Sequence, residues 1–148
     1  MDKLDKLFEM QEKLNDNIFR KQNICNNYSK ILTSMFLYKN GRYDENQGPN
    51  DITNKWLIKF LDALDDESRE LREELLWKWW SKDTLNMQNI RVEIIDQLHF
   101  WICLAMTAGM DAQKVYDIYM QKNKVNLERQ ENRYSKATKT EDDNKGVK

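Results

Sequence analysis

The stretch Arg91-Val-Glu-Ile-Ile-Asp-Gln-Leu-His-Phe100 decides how this chain folds. Its periodicity predicts a helix from about Leu85 to Ala108 that is apolar on more than one face, so we expect this helix to be central and buried. Glu93 and Asp96 nevertheless stand three residues apart within it. A buried carboxylate without a partner costs several kcal/mol. Two such groups on one helical turn therefore indicate a bound cation.

A second acidic group lies in Asp65-Asp-Glu-Ser-Arg-Glu-Leu-Arg-Glu-Glu74. Glu67 and Glu74 continue the apolar stripe of the preceding helix, and Glu70 lies one turn from both. This register places acidic side chains on the packing face, whereas the ordinary alternative is a solvated or ion-paired face.

The two acidic groups are expected to meet. About ten residues, roughly 15 Å of helix, separate Glu70 from the turn at Ser81, and a similar length leads back to Glu93. An antiparallel pair of helices then places Glu67 and Glu70 level with Glu93 and Asp96. Four carboxylates facing one another suit a hard cation such as Mg²⁺ or Mn²⁺.

The remaining pattern predicts an all-α bundle of about five helices, because helical periodicity recurs along the chain and glycine and proline are scarce. We expect a first helix with Asp2 as N-cap, a break near Asn23 to Asn27, a second helix to about Tyr38 and a loop over Asn40 to Asp51. A third helix runs from Thr53 to about Trp80, a short turn follows at Ser81 to Asp83, Gly109 ends the fourth helix, and Asp111 caps a fifth.

Composition narrows the class of protein. The chain has 148 residues, with 24 Lys and Arg against 25 Asp and Glu, which argues against a general nucleic-acid or membrane-surface binder. We expect one domain over residues 1–134 and a polar, disordered tail over residues 135–148. Cys25, Cys103 and His99 cannot form a zinc site. We expect a cytoplasmic protein with reduced thiols and with no signal peptide or membrane span.

The acidic residues also carry a family resemblance. Glu67-x-x-Glu70 followed by Glu93-x-x-Asp96 resembles the ExxE…ExxD signature of the all-α, MazG-like nucleoside triphosphate pyrophosphohydrolases. The surrounding motifs resemble the dimeric dUTPase branch, over about residues 4–134: Leu7-Phe-Glu-Met-Gln-Glu-Lys-Leu-Asn15, Trp77-Lys-Trp-Trp80, Val92-Glu-Ile-Ile-Asp-Gln-Leu-His-Phe100 and Lys122-Asn-Lys-Val-Asn-Leu-Glu-Arg-Gln130.

This resemblance implies a MazG-like helical bundle with dUTP diphosphatase activity, which converts dUTP to dUMP and pyrophosphate and also dUDP to dUMP and phosphate. It implies a homodimer and two or more Mg²⁺ ions per site, with Mn²⁺ as a substitute. Glu67, Glu70, Glu93 and Asp96 would hold the metal. Glu67 or Glu70 would accept the proton of the attacking water, and Glu74 would support the site from outside.

The resemblance also implies substrate contacts. Gln11 and Asn15 would read the uracil edge, because an amide offers both a donor and an acceptor, and a core polar role is the alternative. Trp77 and Phe100 would contact the nucleoside or simply pack in the protein. We expect His99 to be structural. The phosphates would be bound by cationic and amide side chains: Lys78, Lys122, Asn123, Asn126 and Arg129.

Two rival functions remain at this point. One is a pyrophosphohydrolase for another nucleotide, such as dCTP or a modified deoxynucleoside triphosphate. The other is a helical interaction protein without catalysis, which leaves the carboxylates at stripe positions unexplained.

Overall fold

The computed structural model describes residues 2–24, 52–131 and 144–147. Within these ranges the chain forms four helices and no strand: α1 (Lys3–Lys21), α2 (Ile52–Glu74), α3 (Met87–Thr107) and α4 (Ala112–Glu131). The predicted all-α class is confirmed. The predicted helix up to Tyr38, the loop over Asn40 to Asp51 and most of the predicted tail lie outside the described residues. No helix within the described ranges is long and apolar enough to cross a membrane.

Helix α1 has defined ends. Asp5 N–H donates to Asp2 Oδ1 at 2.9 Å and Asp2 N–H donates to Asp5 Oδ2 at 3.0 Å, which forms a reciprocal cap. At the other end Asn23 takes a left-handed φ of 57°, and Ile24 N–H donates to Phe19 O at 2.9 Å. This is a Schellman end, in which asparagine tolerates the left-handed position. The predicted N-cap is confirmed, and α1 ends just before the stretch from Asn23 to Asn27 where a kink or break is predicted, of which residues 25–27 lie outside the described residues.

Helix α2 ends earlier than predicted. Its last residue is Glu74, not a residue near Trp80. The last hydrogen bond of the helix spans three residues instead of four, from Leu75 N–H to Arg72 O at 3.2 Å. A tight turn follows, in which Trp77 N–H donates to Leu75 O at 2.8 Å. The apolar pattern continues through this segment, so periodicity alone did not reveal the end of the helix.

Helices α3 and α4 show the predicted termini. Gly109 adopts a φ of 77°, and Met110 N–H donates to Ala105 O at 2.9 Å, a geometry that favours glycine because a Cβ is strained there. Asp111 Oδ1 accepts a bond of 2.9 Å from Lys114 N–H and so caps α4.

The chain divides into two compact units, Met1–Met110 and Asp111–Lys148. In the first unit, α1 and α2 both pack against α3. Helix α2 runs antiparallel to α3, and Ser68 Oγ lies 3.1 Å from Gln97 Oε1 between them. The prediction of a single domain over residues 1–134 stays a prediction.

Burial along α3 is uneven. The buried core includes Ile102, Cys103, Ala105 and Met106 from its C-terminal half. Its N-terminal half instead leaves apolar side chains about half exposed, with Ile95 at 51%. The prediction that the whole helix is buried is therefore only partly right, because Ile90 of the first half is buried at 7% whereas Val92 and Ile95 are about half exposed.

Candidate active site

The register of α2 sets up the acidic site. Glu67, Leu71 and Glu74 are half-buried and follow one another at spacings of four and three residues, while Glu70 beside them is exposed. The predicted placement of Glu67 and Glu74 on the packing stripe is confirmed, but the prediction that Glu70 shares this packing face is wrong, because its side chain is exposed to water.

Three carboxylates from two helices converge. Glu67 of α2 and Glu93 and Asp96 of α3 each offer an oxygen atom, and these atoms all lie within 4.8 Å of one another. All three side chains are partly buried. Because α2 and α3 are antiparallel, residues far apart in the chain reach the same level. We call Glu67, Glu93 and Asp96 the acidic triad.

Two further carboxylates, Glu70 and Glu74, lie close enough to the acidic triad to raise pKa values within it. Burial is the largest cause that raises the pKa of Glu67, and the charges of Glu70 and Asp96 raise it further. Burial also raises the pKa of Glu93, followed by the charge of Glu70. The charges of Asp96 and Glu74 raise the pKa of Glu93 as well. Glu70 and Glu74 therefore contribute to a shared negative potential around the triad.

The triad has no counter-charge from the described part of the chain. Glu93 Oε2 is buried and accepts no hydrogen bond there. The nearby Arg69 is committed elsewhere, since it pairs with Asp66 and, at 2.9 Å, with Glu73. A set of oxygen ligands with an unpaired buried oxygen fits a hard divalent cation.

A second polar group, the amide network, joins α1 to α3. Gln11 and Asn15 are only 6% and 5% exposed. Gln11 Nε2 donates to Asn15 Oδ1 at 2.9 Å and to Cys103 Sγ at 3.2 Å. Asn15 Nδ2 donates to the same sulfur at 3.4 Å. His99 Nδ1 lies 2.6 Å from Gln11 Oε1.

The hydrogen bonds of the amide network define what it can still bind. Both N–H groups of Gln11 Nε2 are engaged, so its oxygen faces His99, and His99 must carry its proton on Nδ1 to donate there. Asn15 Oδ1 accepts from Gln11 and from the Cys103 thiol, at 3.6 Å. Among the described residues, the two amides retain one acceptor site without a partner on Gln11 Oε1 and one N–H without a partner on Asn15 Nδ2.

The amide network and the acidic triad are neighbours on α3. Cys103 follows Asp96 by two helical turns on the same face, a rise of roughly 10 Å. Phe100 is half-buried and lies between those two levels, one turn beyond Asp96. This face of α3 therefore carries carboxylates at one level and contacts the amides about two turns further along.

The aromatic residues after α2 are exposed. Trp79 is 87% exposed, and its ring centroid lies 5.5 Å from that of Trp80. Lys78 Nζ lies 5.2 Å from the centroid of the Trp77 ring, which is a cation–π contact. The substrate roles of Trp77 and Lys78 stay predictions.

The predicted phosphate-binding residues on α4 belong to the second unit. Asn123 and Asn126 are exposed, and Arg129 is half-buried. Lys122 Nζ donates to Asn144 Oδ1. Asn126 and Arg129 lie three residues apart and share a face of α4. Their role in binding phosphate stays a prediction.

Sequence analysis missed the part that Cys103 plays. It assigned this thiol no function and treated His99 as structural, whereas both contact the amides of α1. The available signal was the position of Cys103, two turns after Asp96 on the same helix. The contact with Gln11 became visible only when α1 was placed against α3.

Comparisons with known proteins find relatives among nucleotide pyrophosphatases. A protein from Enterobacteria phage T4 named dCTP pyrophosphatase is 30% identical over 104 residues, which cover 53% of this chain and 61% of that protein. A protein of the same name from Enterobacteria phage LZ5 is 31% identical over 104 residues, covering 53% of this chain and 60% of that protein. The chain thus matches about three fifths of the length of these curated relatives. No solved structure matches it significantly.

A family model described as dUTPase matches residues 3–114. This range contains the acidic triad, Glu70 and the amide network, and it ends near the start of α4. The match spans well over half of the chain and confirms the resemblance drawn from the motifs. The chain belongs to the dUTPase family.

Proposed function

We propose that this protein hydrolyses a pyrimidine deoxynucleoside triphosphate to the monophosphate and pyrophosphate. The observation that carries the proposal is the acidic triad, whose three carboxylates lie within 4.8 Å of one another without a counter-charge from the described chain. Without a bound cation, the mutual repulsion of these three partly buried carboxylates would destabilise the fold. The family match supports the same reaction class.

The triad would hold a divalent cation, and Mg²⁺ is our first candidate, with Mn²⁺ as a substitute. The ligand atoms are all carboxylate oxygens, which hard cations prefer. A bound cation would neutralise phosphate charge and acidify a water molecule. The sequence-based expectation of two or more ions per site belongs to this proposal, with Glu70 near enough to contribute.

Glu70 is our candidate for the proton acceptor. It is exposed to water, and it is not one of the three groups whose oxygens converge. Its charge nevertheless raises the pKa of both Glu67 and Glu93, which places it beside the triad. In the proposed reaction water attacks phosphorus and gives its proton to a Glu70 carboxylate oxygen, while the bridging P–O bond between the α and β phosphates breaks.

Two candidate bases are favoured by separate observations. The family description and the Gln11 and Asn15 pair support dUTP, since uracil presents an N–H and a carbonyl oxygen to the free acceptor and donor of the amides. The two phage relatives, named as dCTP pyrophosphatases, support dCTP. Cytosine presents an amino donor and a ring-nitrogen acceptor in the reverse order along its edge, so it would engage the same two groups only in a shifted pose.

We also propose that the protein is a homodimer that pairs through the N-terminal half of α3. Val92 and Ile95 are about half exposed and line an open groove of about 360 Å³ together with Gln88, Arg91 and Asp96. Contiguous exposed apolar side chains typically mark an interface. A second copy is the occupant that the dimeric dUTPase resemblance implies, and the groove shares Asp96 with the acidic triad.

The decisive experiment measures pyrophosphate release from dUTP, dCTP, dTTP and UTP, each with Mg²⁺ and with EDTA. We expect release from dUTP that needs the metal, with dCTP as the second substrate. Release from dCTP alone would retain the metal site and reverse the order of the two bases. Folded protein that releases pyrophosphate from none of the four would contradict the proposed activity.

A further inference from the structure

We propose that Cys103 is a positioning residue that holds Gln11 and Asn15 in the orientation needed to select the base. This inference rests on the proposed function for its substrate. The anchoring of the two amides by the thiol can be tested without measuring activity. The side chain of Cys103 is 1% exposed.

Three contacts meet at the sulfur. It accepts from Gln11 Nε2 at 3.2 Å and from Asn15 Nδ2 at 3.4 Å, and it lies 3.6 Å from Asn15 Oδ1, toward which the thiol proton points. Burial raises the pKa of this thiol, so the sulfur keeps its proton and remains a donor at neutral pH. One side chain therefore satisfies two donors and one acceptor of the amide pair.

The contacts of Gln11 with Asn15 and His99 set which way its amide faces, and the thiol anchors both amides in that arrangement. An amide flipped at Gln11 would direct its oxygen at the oxygen of Asn15 and its N–H groups at the Nδ1–H of His99. With Cys103 in place, Gln11 also donates to the sulfur and Asn15 contacts it through both atoms of its amide, so removing the thiol would take these contacts from both amides. The free acceptor and the free N–H that remain for a base are then fixed in position.

A core role alone would not explain this choice of residue. An apolar residue at position 103 would pack the helices but leave buried N–H groups without acceptors. A thiol is small and its sulfur accepts at longer distances than oxygen does, which lets one side chain serve both amides of α1. Cys103 lies two turns, a rise of roughly 10 Å, beyond Asp96 on the same helix.

The test compares Cys103→Ala and Cys103→Ser with wild type, and Ile102→Val serves as the matched control. Ile102 is also buried, at 3%, and that change removes a similar volume from the same helix without touching the amides. With the preferred nucleotide and Mg²⁺, we expect Cys103→Ala to raise KM by about three- to tenfold while kcat stays within about twofold. The ratio of kcat/KM for dUTP and dCTP should move toward one.

Cys103→Ser restores a donor and two acceptors, so KM and selectivity should return most of the way to wild type. If Cys103→Ala has the KM and selectivity of Ile102→Val, the positioning role is refuted, and the network is only part of the core. A fall in kcat equal to the change in kcat/KM would also refute it, because the thiol would then act on the reaction step.

A second measurement does not depend on turnover. The side-chain NH₂ signals of Gln11 and Asn15 should exchange slowly with water in wild type and in Cys103→Ser, and faster in Cys103→Ala. Unchanged exchange in Cys103→Ala overturns the inference even if the enzyme is active. If wild type hydrolyses no nucleotide but the exchange rates respond as expected, the proposed function has failed and the anchoring of the amides stands.

Discussion

Glu67 and Glu93 belong to different helices, yet they offer carboxylate oxygens within 4.8 Å of each other. Neither forms a salt bridge within the described residues, and the pKa of each is raised. Two acidic groups held this close store repulsion that a cation would relieve. The following predictions test that relationship and its consequences.

Mg²⁺ or Mn²⁺ should raise the melting temperature of the wild-type protein. A ligand at 100 times its Kd stabilises by about 2.7 kcal/mol, which corresponds to an increase on the order of 5–10 °C for a chain of this size. Glu93→Gln should abolish most of this increase, because it removes one ligand and a negative charge. Differential scanning fluorimetry with metal and with EDTA measures the effect.

The control for the metal experiment is Glu73→Gln. Glu73 lies on the same helix but pairs with Arg69 at 2.9 Å, away from the acidic triad. It should respond to metal as wild type does. An equal response in Glu93→Gln would show that the metal binds elsewhere.

Glu70→Gln and Asp96→Asn should lower kcat by about 100-fold or more while the helical content stays unchanged. Glu70→Gln removes the proposed proton acceptor, and Asp96→Asn removes a metal ligand. Steady-state pyrophosphate release and circular dichroism measure both properties. Turnover near that of wild type in either variant would show that the role assigned to that residue is wrong.

The free energy of unfolding of the metal-free protein should fall as the pH rises through the pKa values of Glu67 and Glu93. The pKa values of Glu67 and Glu93 are raised above the ordinary 4.5, so the folded state binds protons more readily than the unfolded state. The stability that these groups contribute is fully present below the unfolded pKa and is lost as pH rises through the folded pKa.

Glu93→Gln should remove part of that loss. In EDTA the stability of this variant relative to wild type should grow between about pH 4 and about pH 7, as measured by urea unfolding. Glu73→Gln again provides the comparison at an exposed position. A stability difference between Glu93→Gln and wild type that is independent of pH would contradict the assigned direction.

Ile95→Glu should convert a dimer to a monomer, because it places a charge in the exposed apolar face of α3. Ile58→Glu is the matched control, since Ile58 is 50% exposed and Ile95 is 51% exposed, but Ile58 lies on α2. Light scattering should give twice the 17.9 kDa chain mass for wild type and for Ile58→Glu. A monomeric wild type would refute the proposed dimer, and a dimeric Ile95→Glu variant would place its interface elsewhere.

Local sequence signals predicted the ends of several helices correctly. Asp2, Asn23, Gly109 and Asp111 act through bonds to backbone groups a few residues away, so their roles follow from neighbouring residues alone. The end of α2 was not predictable in this way. Leu75 and Leu76 continue an apolar pattern, while the backbone after Glu74 turns away from the helix.

The same distinction applies to the site. Helical spacing by itself placed Glu67 and Glu74 on the packing stripe of α2 and put Glu93 and Asp96 on one turn of α3, because that spacing depends only on 3.6 residues per turn. Tertiary structure decided that Glu67, Glu93 and Asp96 converge most closely. It also brought Cys103 against Gln11 and Asn15. Contacts between helices depend on which faces pack together and at which level along the helices, and the periodicity of one helix determines neither the partner face nor the level.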